Sequence, residues 1–310
     1  ESQLQEDPHN RRRFGTVRTL SSMGIVSVLL VRLAGALENV NLVGYLWPTL
    51  WSLLGLTALI YSISWLFAKE ELGGRQAWIM GFGMLIIASA LRAETGASLS
   101  WGVAAILTGG LIFLASVRNK ITMWIALLGV IGISTLPFTA AWPGIALFSS
   151  PFSISLIFYF ISIPVLIAGY VRHAMRLIPE PGGLERWIRV IYPIGLIVLP
   201  VIQLGIGWLY RPVFREIALT SWIVNLLILV SAVLVFFWQQ RGGTIPGAWV
   251  GRLNAFLGFE WLRSIVVPVF KQLARFVQFG SSILEGEGGV LWVLLAIVLF
   301  LAILLITIGS

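Results

Sequence analysis

The sequence predicts an all-α, polytopic transmembrane bundle of about nine spans, with one broken helix and a lateral amphipathic helix on the cytoplasmic side. Three observations carry this. Of the 310 residues, 58% are hydrophobic and only 11% charged, against about 25% charged in soluble domains. The apolar residues fall in long blocks such as "VLWVLLAIVLFLAILLITIG" (290–309), which has no charge in its twenty residues. A helix needs about 20 such residues to cross roughly 30 Å of hydrocarbon. Basic residues, finally, fall overwhelmingly on alternate loops. A β-barrel would show short alternating segments of about ten residues instead.

Residues 1–19 form a polar, basic tail without the apolar region and cleavage site of a secretory signal. Eight spans follow within 20–238, at about 20–37, 43–68, 76–91, 98–117, 121–141, 152–171, 188–209 and 217–238. Breakers such as "AKEELGGRQ" (68–76) and "PEPGGLER" (179–186) separate them. The fifth runs into "GISTLPFTAAWPG" (132–144), whose two prolines forbid an unbroken helix. Residues 239–288 are a connector and surface helix. On a helical projection of 246–283, Arg252, Glu260, Arg263, Lys271 and Arg275 share an arc of about 140° and apolar side chains fill the rest. A final span occupies 289–310.

With this layout, seventeen of the 21 basic residues lie on one side and Arg92, Arg211 and Arg215 on the other, leaving Arg32 inside the first span. Such asymmetry puts the N-terminus in the cytoplasm and the C-terminus outside, in a multi-pass cell (inner) membrane protein. The net charge of +8 is then a matter of topology and of anionic lipid partners, and calls for no nucleic acid. Tryptophans 47, 51, 187, 208, 238 and 292 sit mostly near span ends, as an interfacial belt requires.

Several chemistries are excluded. There is no cysteine, hence no disulfide, thiolate metal site or cysteine-ligated cluster. The two histidines, His9 and His173, do not offer paired ligation inside a bundle. P-loop, HExxH and GxSxG motifs are absent. No catalytic residue, cofactor or metal is expected.

The stretch "LLGLTALIYSISWLFAKEELGGRQAWIMGFGMLIIASAL" (53–91) resembles the antiporter-like membrane subunits of NADH:quinone oxidoreductase (respiratory complex I), Mrp-type cation/proton antiporters and membrane-bound hydrogenases. Glu71, Leu72, Arg75, Ala77, Trp78 and Gly83 stand at matching places. "TLPFTAAWPG" (135–144) is similar to the family's proline-broken helix, and "SSMGIVSVLLVR" (21–32) to its lysine-bearing span. The lateral helix followed by one last span also resembles the longest members. The resemblance covers about 20–175 plus the tail. It implies a membrane-arm subunit, with no redox cofactor of its own, beside other membrane subunits that the 246–283 helix contacts. Because the family domain has further spans upstream, it also implies a C-terminal portion, a split subunit or a reduced paralogue.

Where that family carries charges, this sequence does not. Ser21 and Ser22 stand near the expected lysine of the first span, and Ile145 and Ala146 follow the break at Pro137, Thr139, Pro143 and Gly144. All thirteen acidic residues fall in expected loops, the tail or the surface helix, whereas proton relays need titratable groups in the bundle. Arg32 remains, as a snorkelling side chain or a gating charge, and an arginine does not release its proton. Gln203 and Asn225 are polar residues deep in spans seven and eight, where interhelical hydrogen bonds explain them. Glu71 and Arg75 make a one-turn pair at a cytoplasmic helix start. Three readings follow: a degenerate or partial member of the proton-translocating arm, a non-transporting scaffold, or an unrelated small-solute or lipid carrier.

Overall fold

A computed structural model describes residues 8–37, 46–114, 119–148, 153–177, 186–209 and 219–243, together with position 272. The chain divides into two compact units, Glu1–Asn254 and Ala255–Ser310. All described residues but position 272 belong to the first. The expected amphipathic helix at 246–283 and the last span lie outside the described residues.

Every described element is helical. In chain order these are α1 (Pro8–Leu37), α2 (Leu46–Phe67), α3 (Glu71–Leu91), α4 (Thr95–Phe113), α5 (Lys120–Ile133), a short 3-10 helix (Trp142–Phe148), α6 (Ile154–Ala174), α7 (Arg186–Leu209) and α8 (Leu219–Gln240). Six helices among the described residues are long and apolar enough to cross a membrane. They are α2 from Pro48, α3, α4, α6, α7 from Ile191 and α8 from Ser221. Their places match the expected spans to within a few residues. Two expected spans differ. The first, at 20–37, lies in α1, which starts at Pro8 within the expected tail and is not among the six. The fifth, expected at 121–141, ends at Ile133, with residues 134–141 not helical. Pro137 supplies the reason, since a proline disfavours helical backbone in the residue before it, here Leu136.

Local chemistry fixes the helix ends. Asn119 caps α5, its Oδ1 accepting from the Thr122 amide at 3.0 Å. The last carbonyls of α2, which no helical amide can reach, are met by arginines from the end of α6. Arg172 donates to the carbonyls of Leu66 and Ala68, and Arg176 to those of Lys69 and Ala68. The same residues put positive charge in and just beyond the last turn of α6, where the helix dipole favours it. On the opposite end of α3, Arg92 donates to the Leu147 carbonyl and lies 4.0 Å over the Trp51 ring. Burial draws its guanidinium below the ordinary range, while Glu94 and Tyr159 oppose that shift.

α2 packs on α6 and α3, α3 on α4, α1 on α4 and α3, α7 on α5 and α4, and α8 on α6. The centre is aromatic. Trp65, Trp78 and Trp101 are fully buried, with Trp65 and Trp78 centroids 5.3 Å apart and Trp78 and Phe82 4.5 Å apart. Each indole brings one polar N–H with it, and that of Trp78 donates to the Ala105 carbonyl at 3.3 Å. Two tyrosines tie helices together the same way: Tyr159 donates to the Trp51 carbonyl and Tyr170 to that of Ala126. Trp208 and Trp238 are exposed, as a belt requires, but Trp51 is buried against Tyr159. Position near a helix end did not distinguish them; packing did.

Candidate functional site

The site begins with a helix that stops inside an apolar bundle. At the end of α5, the Ser134 amide and hydroxyl both donate to the Ile131 carbonyl, at 3.2 and 2.7 Å. The chain then turns through two residues in left-handed backbone, Thr135 at φ +52° and Phe138 at φ +65°. A β-branched residue there is strained by about 1–3 kcal/mol. The segment satisfies much of itself. Thr139 donates to Leu136 through both its amide and its hydroxyl, Trp142 donates to Thr139, and Gly144 to Ala141. Backbone exposed to lipid without such partners costs several kcal/mol per group.

Two neighbouring helices hold this interruption from outside. From α8, Asn225 accepts the Thr135 hydroxyl at its Oδ1, at 2.6 Å, and both side chains are buried. From α7, Gln203 lies against Gly132, where any Cβ would collide with its amide. One turn further, Gly207 faces Phe138 so closely that a methyl would meet the Phe138 carbonyl, and the Trp208 ring sits 6.1 Å from the Phe138 ring. Residues 203 and 207 share a face because four positions return a helix to the same side. Gln203 and Asn225 each stand six residues, about 9 Å, from the adjoining ends of α7 and α8.

A cavity of about 190 Å³ adjoins the interruption, lined mainly by apolar side chains of α5 and α7, with Thr139 and Gln203 on its wall. Both amide atoms of Gln203 and Nδ2 of Asn225 are buried without a hydrogen-bond partner among the described residues. Chemically, the arrangement offers neutral donors and acceptors that orient backbone or water. Among the described residues within or touching the interruption, none is acidic or basic.

Of the residues singled out in the sequence, the structure brings together Pro137, Thr139, Gln203 and Asn225. Pro143 and Gly144 lie in the first turn of the 3-10 helix, with Gly144 buried over Trp101. Ile145 and Ala146 are half-buried in it. The α1 candidates do not join this group. Ser21, Ser22 and Arg32 are exposed on α1, where the Ser22 hydroxyl bonds back to the Arg18 carbonyl. Glu71 opens α3, and Arg75, one turn on, donates to the Thr16 hydroxyl of α1 at 2.6 Å.

Sequence reasoning missed Gly132, Ser134, Thr135 and Gly207. A usable signal was present: "GIST" ends an apolar run just before "LP", and Gln203 and Gly207 share a helical face. No protein-family profile matches this chain, and no curated protein does.

Proposed function

We propose that this protein is a membrane subunit of the antiporter-like kind that contributes helices to a multisubunit complex and moves no protons by itself. On this reading the bundle has about nine spans with the N-terminus in the cytoplasm, α5 and the 3-10 helix are two parts of one broken span, and the 246–283 segment is a cytoplasmic strut against neighbouring subunits. One observation supports it above the others. The interruption is the place where such a subunit would hold a relay, and among the described residues its polar side chains are amides and hydroxyls. Those groups orient water but do not take up and release protons near neutral pH. The cavity beside the interruption, at about 190 Å³, is smaller than the roughly 300–1,000 Å³ of small-molecule sites, so the interruption itself does not fit a solute site.

The test is reconstitution of the full chain, alone, in vesicles containing a pH-sensitive dye under an imposed potential. The expected result is no proton flux above that of protein-free vesicles. Uncoupler-sensitive acidification by the single polypeptide would overturn the proposal. Mild-detergent extraction with chemical cross-linking should in addition recover companion membrane polypeptides, and a monomer without companions in native membranes would count against the subunit reading.

A further inference from the structure

α1 and α3 run side by side in the same direction: Thr16 bonds Arg75 near their starts, and further along Leu30 and Ile87 line one groove. Between them lies a groove of about 560 Å³. Thr19, Ser22, Arg75 and Gln76 form its mouth, and residues such as Met23, Met80 and Ile87 its walls. Its depth follows from the helix. Arg75 to Ile87 is twelve residues, about 18 Å, against about 15 Å for the hydrocarbon of one leaflet. The floor opens at Gly83, where an added Cβ would meet nothing within 4 Å. Methionine walls adapt to a flexible chain.

The charge at the mouth is positive. Arg75 is the charged side chain that lines it, and at the same end of the bundle Arg172 and Arg176 bond the carbonyls of Leu66, Ala68 and Lys69 in the turn that leads into α3. Glu70 and Glu71 are the acidic side chains described there. A cleft one leaflet deep, apolar along its length and cationic at its opening matches a lipid in shape and charge. We propose that the α1–α3 groove binds one acyl chain of an anionic phospholipid from the leaflet at the basic end, with its phosphate at Arg75. The proposal depends on membrane insertion and not on the subunit reading, so proton-flux results leave it untouched.

The experiment uses the delipidated full chain in detergent, titrated separately with phosphatidylglycerol and phosphatidylcholine of identical acyl chains and read by native mass spectrometry. Wild type is expected to retain phosphatidylglycerol in preference to phosphatidylcholine. Arg75→Gln should weaken phosphatidylglycerol about fivefold, the equivalent of about 1 kcal/mol per basic residue near a lipid surface, and leave phosphatidylcholine unchanged. Gly83→Phe should fill the groove, abolish retention of both and keep the wild-type unfolding midpoint. Equal retention of the two lipids by wild type would mean annular lipid only and overturn the proposal. Undiminished phosphatidylglycerol on folded Gly83→Phe would overturn it equally.

Discussion

The contact between Thr135 and Asn225 sets two effects against each other that mutations can separate. Thr135→Val keeps the branched shape and the left-handed strain but removes the hydroxyl that Asn225 accepts at 2.6 Å. Interhelical hydrogen bonds in membranes average about 0.6 kcal/mol and reach about 1.7. The short distance and complete burial place this one in the upper half of that range. Thr135→Val and Asn225→Ala are each expected to cost about 1 kcal/mol, and the double mutant to show a coupling of about 0.6–1.7 kcal/mol. Thr135→Gly loses the same hydrogen bond but adopts φ +52° without penalty. With about 1–3 kcal/mol of strain relieved, it should be the more stable of the two threonine variants by about 1 kcal/mol. Reversible SDS unfolding in mixed micelles, followed by tryptophan fluorescence, measures all of these. Coupling below about 0.3 kcal/mol, or a glycine variant less stable than the valine one, would refute the reasoning.

The same assay reads four further expectations. Gly207→Ala should lose about 1–3 kcal/mol because the methyl meets the Phe138 carbonyl, whereas Gly205→Ala, with nothing within 4 Å, should gain up to about 1. Gln203→Leu should stabilise by about 1 kcal/mol, because both atoms of the buried amide lack partners among the described residues and a buried unsatisfied group costs about 1–3. A loss would show that the amide holds bound water. Trp65→Ala empties the aromatic centre and should cost about 3–5 kcal/mol, while Trp208→Ala, at a ring that is 60% exposed, should stay within about 0.5. The cost of Asn225→Ala should be flat from about pH 5 to 9, since a neighbouring group titrating there would tilt it by up to about 1.4 kcal/mol per pH unit.

The helices were legible because a membrane span is written in one dimension: length and hydropathy suffice, and α2, α3, α4 and α6 to α8 lie where apolar blocks predict them. The stop in α5 was also legible, through Pro137. What holds the stop was not. Gln203 and Asn225 were visible as isolated polar residues, each with an adequate explanation in any helix pair. Only the packing of α7 and α8 shows that both reach the end of α5 and the segment that follows it. Trp51, Trp65, Trp78 and Trp101 teach the same lesson. A tryptophan suits a lipid interface or a packed core equally well by chemistry, and helix neighbours decide between them. The strained backbone at Thr135 has no sequence signature, because threonine is a poor choice for positive φ and its hydroxyl partner is ninety residues away.

These facts make the interruption a notch for two helices. Most of the large apolar side chains described on α7 and α8 face outward; α8 buries Asn225, Ile228 and Ala232. In lipid such a helix gains nothing from hiding leucines, because the tails are as apolar as its neighbours. Close backbone approach and hydrogen bonds must fix its position instead. An unbroken α5 would hold its backbone carbonyls in its own hydrogen-bond ladder, ringed by side chains. Stopped at Ile133, it presents a carbonyl at Phe138 for Gly207 to pass and a hydroxyl at Thr135 for Asn225 to accept. The strain at Thr135 is sustained because those helices over-determine it. Neutral groups serve this purpose better than charges, since an ionised side chain at that depth would cost more to bury than either contact returns.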